Sequence, residues 1–231
     1  MDRALYPHHP DRWDDHLFRR HVLEHLRPGT RVLDLGAGAG SVPEMDFRGR
    51  GVTVYGVDPD PRVLTNPHLD EAAVAWGESL PHPDASFALV FADNVLEHLP
   101  DPAAVFREVA RVLEPGGIFL AKTPNRRHYV ALAARLTPHR FHQVFNRWRG
   151  RAEDDTFPTR YRANTPRALR TWSAAAGLVV RRIETFEGRP EYLRRWPAAY
   201  LLGWLYERAV NLVPGLAGFR VLLVATCEKP R

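Results

Sequence analysis

Cysteine and long apolar runs are nearly missing from this sequence of 231 residues. Cys227 is the only cysteine, which excludes an internal disulfide and a zinc site built from several cysteines. No run of about 18 uncharged apolar residues occurs, so the sequence predicts no transmembrane helix. The first residues, MDRALYPHHPDRW, also lack the apolar core of a secretory signal. Together these absences predict a cytoplasmic protein.

Lysine is scarce as well, because Lys122 and Lys229 are the only two and arginine supplies the other basic side chains. The basic residues are unevenly distributed. Residues 1–123 carry 12 basic and 19 acidic side chains, whereas residues 124–195 carry 16 basic and 6 acidic ones. A G+C-rich genome accounts for an arginine bias more readily than for this concentration. The middle third therefore favours an anionic partner.

Seven apolar, β-rich runs and the helical patterns between them indicate the fold. The predicted strands are residues 31–36, 52–58, 72–76, 87–93, 117–123, 178–187 and 219–228. Residues 17–26 and 105–113 instead carry apolar side chains at spacings of three and four, which is typical of helices. Strands that are apolar on both faces and alternate with helices predict one α/β domain over residues 1–231. Its sheet should be doubly wound, seven-stranded and mostly parallel.

The first predicted strand ends in a glycine-rich loop, RVLDLGAGAGS. In an open α/β sheet this loop faces the ligand at the carboxyl ends of the strands. Gly36, Gly38 and Gly40 give G-x-G-x-G, but Ser41 stands where a dinucleotide fingerprint needs its third glycine. A phosphate loop of the G-x-x-x-x-G-K-[ST] type is absent too. Asp34 adds negative charge beside the loop, which suits an ammonium or sulfonium group better than a pyrophosphate.

Three further motifs follow in order. Asp58 ends the second predicted strand, where a carboxylate can bind both hydroxyls of a ribose, although a cap before Pro59 is the alternative. FALVFADNVLEH (87–98) and the predicted turn LEPGG (113–117) come later. Together with the glycine loop they resemble class I S-adenosylmethionine-dependent methyltransferases over residues 12–123. Within that class the sequence is similar to the small-molecule branch that includes quinone-biosynthesis and glycan-tailoring enzymes.

The resemblance implies a Rossmann-like methyltransferase fold with S-adenosylmethionine as its cofactor. It assigns residues to the methionine end, the ribose, the adenine edge and the wall near the sulfonium. The implied cofactor-binding residues are Asp34, Gly36, Ala37, Gly38, Gly40, Asp58, Pro59, Gly77, Glu78, Asp93, Asn94 and Val95. One position departs from the family pattern. Many relatives place an acid before Gly77 to accept from the adenine amino group, but Trp76 stands there, so either Glu78 or backbone and stacking contacts must replace it.

Histidines supply the candidate catalytic groups, because transfer to a hydroxyl benefits from a general base. His98 follows the fourth predicted strand and is the first candidate; the alternative is a histidine bonded within its own loop, held by Glu97. His128 and Tyr129 are further candidates in the basic middle segment. Asp93, Glu97 and His98 also carry donors that suit divalent ions. Such clusters are more often caps and local hydrogen bonds, so no metal site is predicted.

Two segments depart from the strand–helix alternation. Residues 124–172, which include His139 and His142, are predicted as an arginine-rich lid or acceptor-side insertion. The alternative is a solvated surface whose arginines pair with the acids at 153–155. Residues 190–215 are predicted as an apolar helical insertion between the last two strands. It suits a core, a dimer interface or an acceptor pocket better than a membrane surface, because its polar face lacks basic residues.

We therefore expect methylation of an oxygen on a small, anionic or glycosidic acceptor. One alternative is a nucleic-acid methyltransferase acting on RNA. The sequence argues against it, because ADNV replaces an N/D-P-P-Y tetrapeptide after the fourth strand and Cys227 lies far from the loops. A second alternative is a non-catalytic protein that binds S-adenosylmethionine, since a fold does not fix a function.

Overall fold

A single seven-stranded sheet organises the computed structural model, which describes residues 5–6, 13–136, 158–194 and 196–231. The strands are β1 (Arg31–Leu35), β2 (Thr53–Asp58), β3 (Glu71–Val74), β4 (Phe87–Asp93), β5 (Leu113–Pro124), β6 (Val179–Phe186) and β7 (Leu222–Glu228). Their order is β3-β2-β1-β4-β5-β7-β6, and β7 runs antiparallel to both of its neighbours. All seven predicted strands and the mostly parallel sheet are confirmed. Strand order reverses between β1 and β4, which places a ligand crevice at their carboxyl ends.

The described residues contain five α-helices, and the helices on both faces of the sheet help to bury it. They are α1 (Trp13–His25), α2 (Pro102–Val112), α3 (Tyr129–Leu136), α4 (Pro166–Ala175) and α5 (Pro197–Leu212). Short 3-10 turns lie at Pro43–Met45, Pro61–Thr65, Glu191–Leu193 and Pro214–Phe219. On one face Phe18 of α1 packs in a core with Phe91 and Leu120; on the other, Phe106 of α2 packs against Phe119. Both faces of the central strands are therefore buried, which explains their nearly continuous apolar sequences.

Two helices begin earlier than their apolar spacing predicts. The Asp101 side chain caps α2 by accepting from the backbone N–H groups of Ala103 and Ala104, and Pro102 occupies the first turn. The first turn of α1 carries Asp14 and Asp15, whose charges suit a helix N-terminus. A search for apolar periodicity misses these beginnings because the first turn of α1 carries two acids, and α2 starts with a proline and two alanines that bear no large apolar side chain.

The LEPGG segment is not the separate turn that was predicted at residues 113–117. It is the irregular beginning of β5, where Leu113 pairs with Phe87 before the register shifts and Ile118 pairs with Leu89. Gly116 has a φ of +82°, a left-handed conformation that glycine adopts without steric cost. The glycine therefore permits a bulge within a strand rather than a reversal of the chain.

The two segments outside the strand–helix alternation are described to different extents. The last part of α3 is followed by residues 137–157, which lie outside the described residues together with His139, His142 and the acids at 153–155. Helix α5 lies between β6 and β7, within residues 190–215. In the part of the chain that the structure describes, no helix is long and apolar enough to cross a membrane.

Candidate functional site

The glycine loop follows β1 and is tied to β2 by its backbone. The N–H groups of Gly36 and Ala37 both donate to Val57 O, at 2.8 and 3.2 Å. Gly36 has a φ of +82°, and a Cβ there would lie 2.3 Å from a Val95 methyl carbon. Gly38 has a φ of +50°, but a Cβ there would meet nothing within 4 Å. Gly36 therefore permits close packing against the loop after β4, whereas Gly38 borders open space.

Asp58 joins the end of β2 to the glycine loop. Its carboxylate accepts from the N–H of Gly38 at 3.0 Å and from the N–H of Asp60 at 2.8 Å. Burial raises the Asp58 pKa, and the two amide hydrogen bonds only partly offset this. Each carboxylate oxygen keeps a further lone pair for a hydroxyl donor. Asp58 is thus both the local cap that the sequence allowed and an acceptor beside the loop.

Asp34 is a buried carboxyl group for which the described residues provide no counter-ion. Only 7% of the residue is exposed, and among the described residues its side chain makes no hydrogen bond or ion pair. Burial raises the Asp34 pKa well above its ordinary value, and the negative charges of Asp93 and Asp58 raise it further. An unpaired carboxyl group at a ligand-facing strand end fits a cationic ligand.

Asp93, at the end of β4, lies opposite Lys122 of β5. The Lys122 Nζ forms an ion pair with Asp93 Oδ1 at 2.8 Å, whereas Asp93 Oδ2 has no hydrogen-bond partner in the described part of the chain. Burial raises the Asp93 pKa to about 6, although Lys122 acts against this rise. Asn94 follows in a left-handed conformation with a φ of +55° and donates its N–H to Lys122 O at 2.9 Å.

The adenine side of the predicted site lies beyond β3. Trp76 is 61% exposed, whereas Glu78 is partly buried and its Oε1 has no hydrogen-bond partner among the described residues. A Cβ on Gly77 would lie 3.4 Å from a Leu35 methyl carbon, so this loop returns to the end of β1. Pro59 follows Asp58 directly at the end of β2. The predicted cofactor residues thus gather at the carboxyl ends of β1, β2 and β4 and the loop after β3.

A family model described as a methyltransferase domain matches residues 9–183, more than half of the chain. The chain belongs to the methyltransferase family. An uncharacterized methyltransferase from Mycobacterium sp. (strain JLS) is 32% identical over 207 residues, which cover 84% of this chain and 74% of the relative. The ubiquinone biosynthesis O-methyltransferase of Azorhizobium caulinodans is 35% identical over 116 residues, which cover 46% of each protein.

A solved structure supports the same fold for the methyltransferase. The geranyl diphosphate C-methyltransferase of Streptomyces coelicolor A3(2), in complex with S-adenosyl-L-homocysteine, has a TM-score of 0.58 and 16% identity, and covers 95% of this chain and 81% of its own. The Rossmann-like fold and the enzyme class predicted from the sequence are therefore confirmed. S-adenosylmethionine is the cofactor of this methyltransferase.

The candidate catalytic residues of the methyltransferase fall into two groups. His98 is partly exposed; its Nδ1 lies 3.3 Å from Pro158 O and its Nε2 lies 3.9 Å from Glu97 Oε1. Glu97 Oε2 accepts from the Thr123 hydroxyl at 3.0 Å, whereas Asp93 pairs with the neighbouring Lys122. The two carboxylates therefore contact different side chains of β5. The described residues contain no group of three histidine, cysteine or carboxylate side chains that could hold a metal ion.

His128 and Tyr129 have different neighbours from His98. His128 is buried, with its Nε2 3.3 Å from Glu187 Oε2, and its ring centroid is 4.2 Å from that of Tyr129. The Tyr206 ring of α5 contacts both rings, at 5.4 and 4.9 Å. The structure therefore places this pair between α3, α5 and the end of β6, whereas His98 follows β4.

A cavity of about 410 Å³ opens beyond the carboxyl end of β5. Its lining residues are Arg126, Arg127, Leu132, Thr165 and Phe219. Arg126 donates its backbone N–H to Asn164 O, and Arg127 donates to the Asn125 side chain. The Asn125 Nδ2 in turn donates to Gly218 O and Arg220 O, at 2.9 and 2.8 Å. These hydrogen bonds hold the backbone of both arginines, while the arginine side chains remain exposed.

Sequence reasoning missed several residues that shape the site. Lys122 contacts Asp14 and Asp15 of α1 as well as Asp93. The Asn66 side chain donates to the carbonyl groups of Ala37 and Gly38, at 2.9 and 3.2 Å. The only sequence signal for Lys122 was a rare lysine inside an apolar strand; nothing marked Asn66.

Proposed function

We propose that this methyltransferase transfers a methyl group from S-adenosylmethionine to an oxygen of a small, anionic acceptor. The observation that carries the proposal is the cavity lined by Arg126 and Arg127 at the carboxyl end of β5. Strand β5 pairs with β4, whose end forms part of the proposed donor site, so the cavity lies on the neighbouring strand. Two guanidinium groups beside Leu132 and Phe219 favour an anionic group joined to an apolar body over a neutral sugar.

The residues around the glycine loop offer the charges, the hydrogen-bond acceptors and the open space that S-adenosylmethionine needs. The unpaired Asp34 suits the cationic methionine end, and the space beyond Gly38 lets a ligand approach the backbone. Asp58 presents lone pairs to the ribose hydroxyls. The buried Glu78 Oε1, which has no hydrogen-bond partner among the described residues, suits the adenine amino group, so Glu78 takes the place of the acid missing at Trp76.

When bound, the cofactor supplies a methyl group on a sulfonium, and transfer is an in-line displacement. The protein must therefore align the acceptor oxygen, exclude water and accept a proton from a hydroxyl acceptor. We assign the proton to His98 Nε2. In the tautomer whose Nδ1–H donates to Pro158 O, Nε2 carries the lone pair, and Glu97 Oε1 at 3.9 Å stabilises the resulting imidazolium.

The arginine cavity predicts a charge-dependent acceptor affinity. We expect Arg127→Gln to raise the KM for an anionic acceptor about 10- to 100-fold, because a hydrogen bond to a charged group contributes roughly 1.5–3 kcal/mol. Arg126→Gln should act in the same direction. Turnover at saturation and the Kd of S-adenosylmethionine should change little. The measurement is the rate of S-adenosylhomocysteine formation with matched aryl phosphates, aryl carboxylates and neutral phenols.

The matched control is Arg107→Gln, which removes another exposed arginine, on α2. It should leave every KM unchanged. If neutral and anionic acceptors lose affinity equally in the cavity variants, or if only neutral acceptors are methylated, the anionic assignment is wrong while the methyltransferase activity stands.

His98→Gln should lower turnover of a hydroxyl acceptor by about 100-fold or more, which is the usual contribution of a general base. A carboxylate acceptor is already ionised near neutral pH, so its rate should hardly change. The readout is the ratio of the two rates in each variant, with calorimetry to show an unaltered donor affinity. His16→Gln, which changes a half-exposed histidine on α1, is the control. An unchanged ratio in His98→Gln would remove His98 from the proposed mechanism.

A further inference from the structure

Lys122 is a lysine enclosed in the sheet and surrounded by carboxylates. Its side chain is fully buried, with no exposed surface. The Nζ atom lies 2.6 Å from Asp15 Oδ1, 2.8 Å from Asp93 Oδ1 and 3.3 Å from Asp14 Oδ2. Nζ also lies 5.7 Å from the centre of the Phe18 ring. A buried ammonium group persists only when several acceptors compensate for its lost hydration, and here they come from two separate elements.

These contacts join α1 to the end of β4. Asp14 and Asp15 belong to the first turn of α1, whereas Asp93 is the last residue of β4. No other lysine or arginine side chain of the described residues forms an ion pair with any of the three. Lys122 is therefore the cation that holds the beginning of the helix against the strand end.

The same lysine is connected to the glycine loop through the backbone. Its carbonyl accepts from the N–H of Asn94, which continues the β4–β5 pairing one residue past Asp93. Val95 comes next. A Cβ added to Gly36 would lie only 2.3 Å from one of the Val95 methyl carbons, so Val95 packs against the glycine loop. A shift of Lys122 would thus move Asp93, Asn94 and Val95 together, and Val95 contacts the loop directly.

Negative charge exceeds positive charge around this lysine, because three carboxylates contact one ammonium group. Asp14 and Asp15 face it from α1 and Asp93 from β4. The charge of Asp93 also acts on Asp34 of β1, as does that of Asp58 on β2. Burial alone would lower the Lys122 pKa, but the charges of Asp93, Asp14 and Asp15 outweigh burial and raise it. The lysine therefore stays protonated, and its removal would leave carboxylates converging on an apolar space.

We propose that Lys122 is a positioning residue for the methyl donor, which fixes α1 and residues 93–95 in a single arrangement around the glycine loop. It does this without contacting the donor, through Asp93 on one side and Asp14 and Asp15 on the other. The proposal rests on the donor site proposed above. Its consequence is that the donor and its demethylated product should depend on Lys122 to the same degree, because both need the same assembled site.

The test is Lys122→Met, with Asp15→Asn as a milder second variant at the partly exposed end of the network. Calorimetry with S-adenosylmethionine and with S-adenosylhomocysteine should show both affinities reduced between about 10-fold and 100-fold for Lys122→Met. Hydrogen exchange without ligand should become faster in residues 13–25 and in residues 93–96 together. Asp15→Asn should give the same pattern with a smaller amplitude. Glu24→Gln, which removes an exposed acid from the same helix, should change neither measurement.

Several results would overturn the proposal. One is that Lys122→Met binds S-adenosylmethionine more tightly and S-adenosylhomocysteine more weakly than the native protein. Lys122 would then repel the cationic donor rather than position its site. Others are unchanged affinities or faster exchange in only one of the two segments. If Lys122→Met fails to fold, as judged by circular dichroism, an Asp15→Asn variant with native affinities and exchange would still refute it. Failure of the unmodified protein to bind S-adenosylmethionine would refute the donor site itself.

Discussion

Asp34→Asn is expected to stabilise the ligand-free methyltransferase at pH 7 and at the same time to weaken S-adenosylmethionine binding by at least about 30-fold. The binding loss follows because truncating or neutralising one partner of a buried charged contact costs roughly 2–5 kcal/mol. The stability gain, about 1–2 kcal/mol, is the usual size for relieving an unfavourable site. Asp34 is buried and has no counter-ion in the part of the chain that the structure describes, and asparagine has nearly the same shape but cannot ionise.

The sign of the pH dependence can be derived from linkage. In the unfolded chain Asp34 ionises near 3.8, whereas burial and the neighbouring charges raise its pKa well above that value in the folded protein. The folded state therefore binds more protons between the two values, and the free energy of unfolding falls as pH rises through that window. Asp93, whose pKa burial raises to about 6, contributes in the same direction. In the Asp34→Asn variant the Asp34 part of this fall should disappear.

Thermal unfolding between pH 4 and pH 8, with and without S-adenosylmethionine, measures both effects. The control is Glu114→Gln, which neutralises an exposed acid at the beginning of β5. It should leave the curves unchanged. A variant at Asp34 that binds the donor as tightly as the native protein would show that the ligand's cationic end lies elsewhere.

Gly36→Ala is expected to reduce the free energy of unfolding by about 3 kcal/mol, through a left-handed backbone and an overpacked contact together. The φ of Gly36 is +82°, and the added Cβ would lie 2.3 Å from a Val95 methyl carbon, so the loop after β4 would have to move. Denaturant unfolding measures the loss, and calorimetry should show weaker donor binding in whatever remains folded.

Gly49→Ala separates the cost of the left-handed backbone from the cost of the overpacked contact. Gly49 has a φ of +74°, but a Cβ there would meet nothing within 4 Å, so only the backbone cost of roughly 1–2 kcal/mol should remain. The double variant Gly36→Ala/Val95→Ala should recover part of the difference. Equal losses at positions 36 and 49 would mean that contact with Val95 does not constrain the loop.

The sheet and the glycine loop were predictable because each rests on a local pattern. Doubly apolar runs marked the strands, and G-x-G-x-G with Asp34 before it and Asp58 after it marked the loop. The beginnings of two helices were harder to predict, since the first turn of α1 carries two acids and α2 starts with a proline and two alanines. The LEPGG bulge was mistaken for a turn because glycine favours both.

The parts that escaped prediction depend on contacts between distant residues. Lys122 and Asp15 are 107 positions apart, and no pattern within one element reveals that they meet. Asn66 acts on the glycine loop from 29 positions away. For the acceptor, the sequence offered only an excess of arginine in the middle third, and among the described residues two of these arginines line the cavity to which we assign the acceptor.

The position of β7 has a consequence for the order in which the enzyme becomes functional. It is translated after the other six strands, yet it lies between β5 and β6, and Gly218 and Arg220 just before it hold Asn125. A growing chain can pair β1 to β5 and complete its glycine loop while β6 still has no neighbour in the sheet. During synthesis, we therefore expect the surface that we propose for the methyl donor to form before the arginines that we assign to the acceptor gain their support.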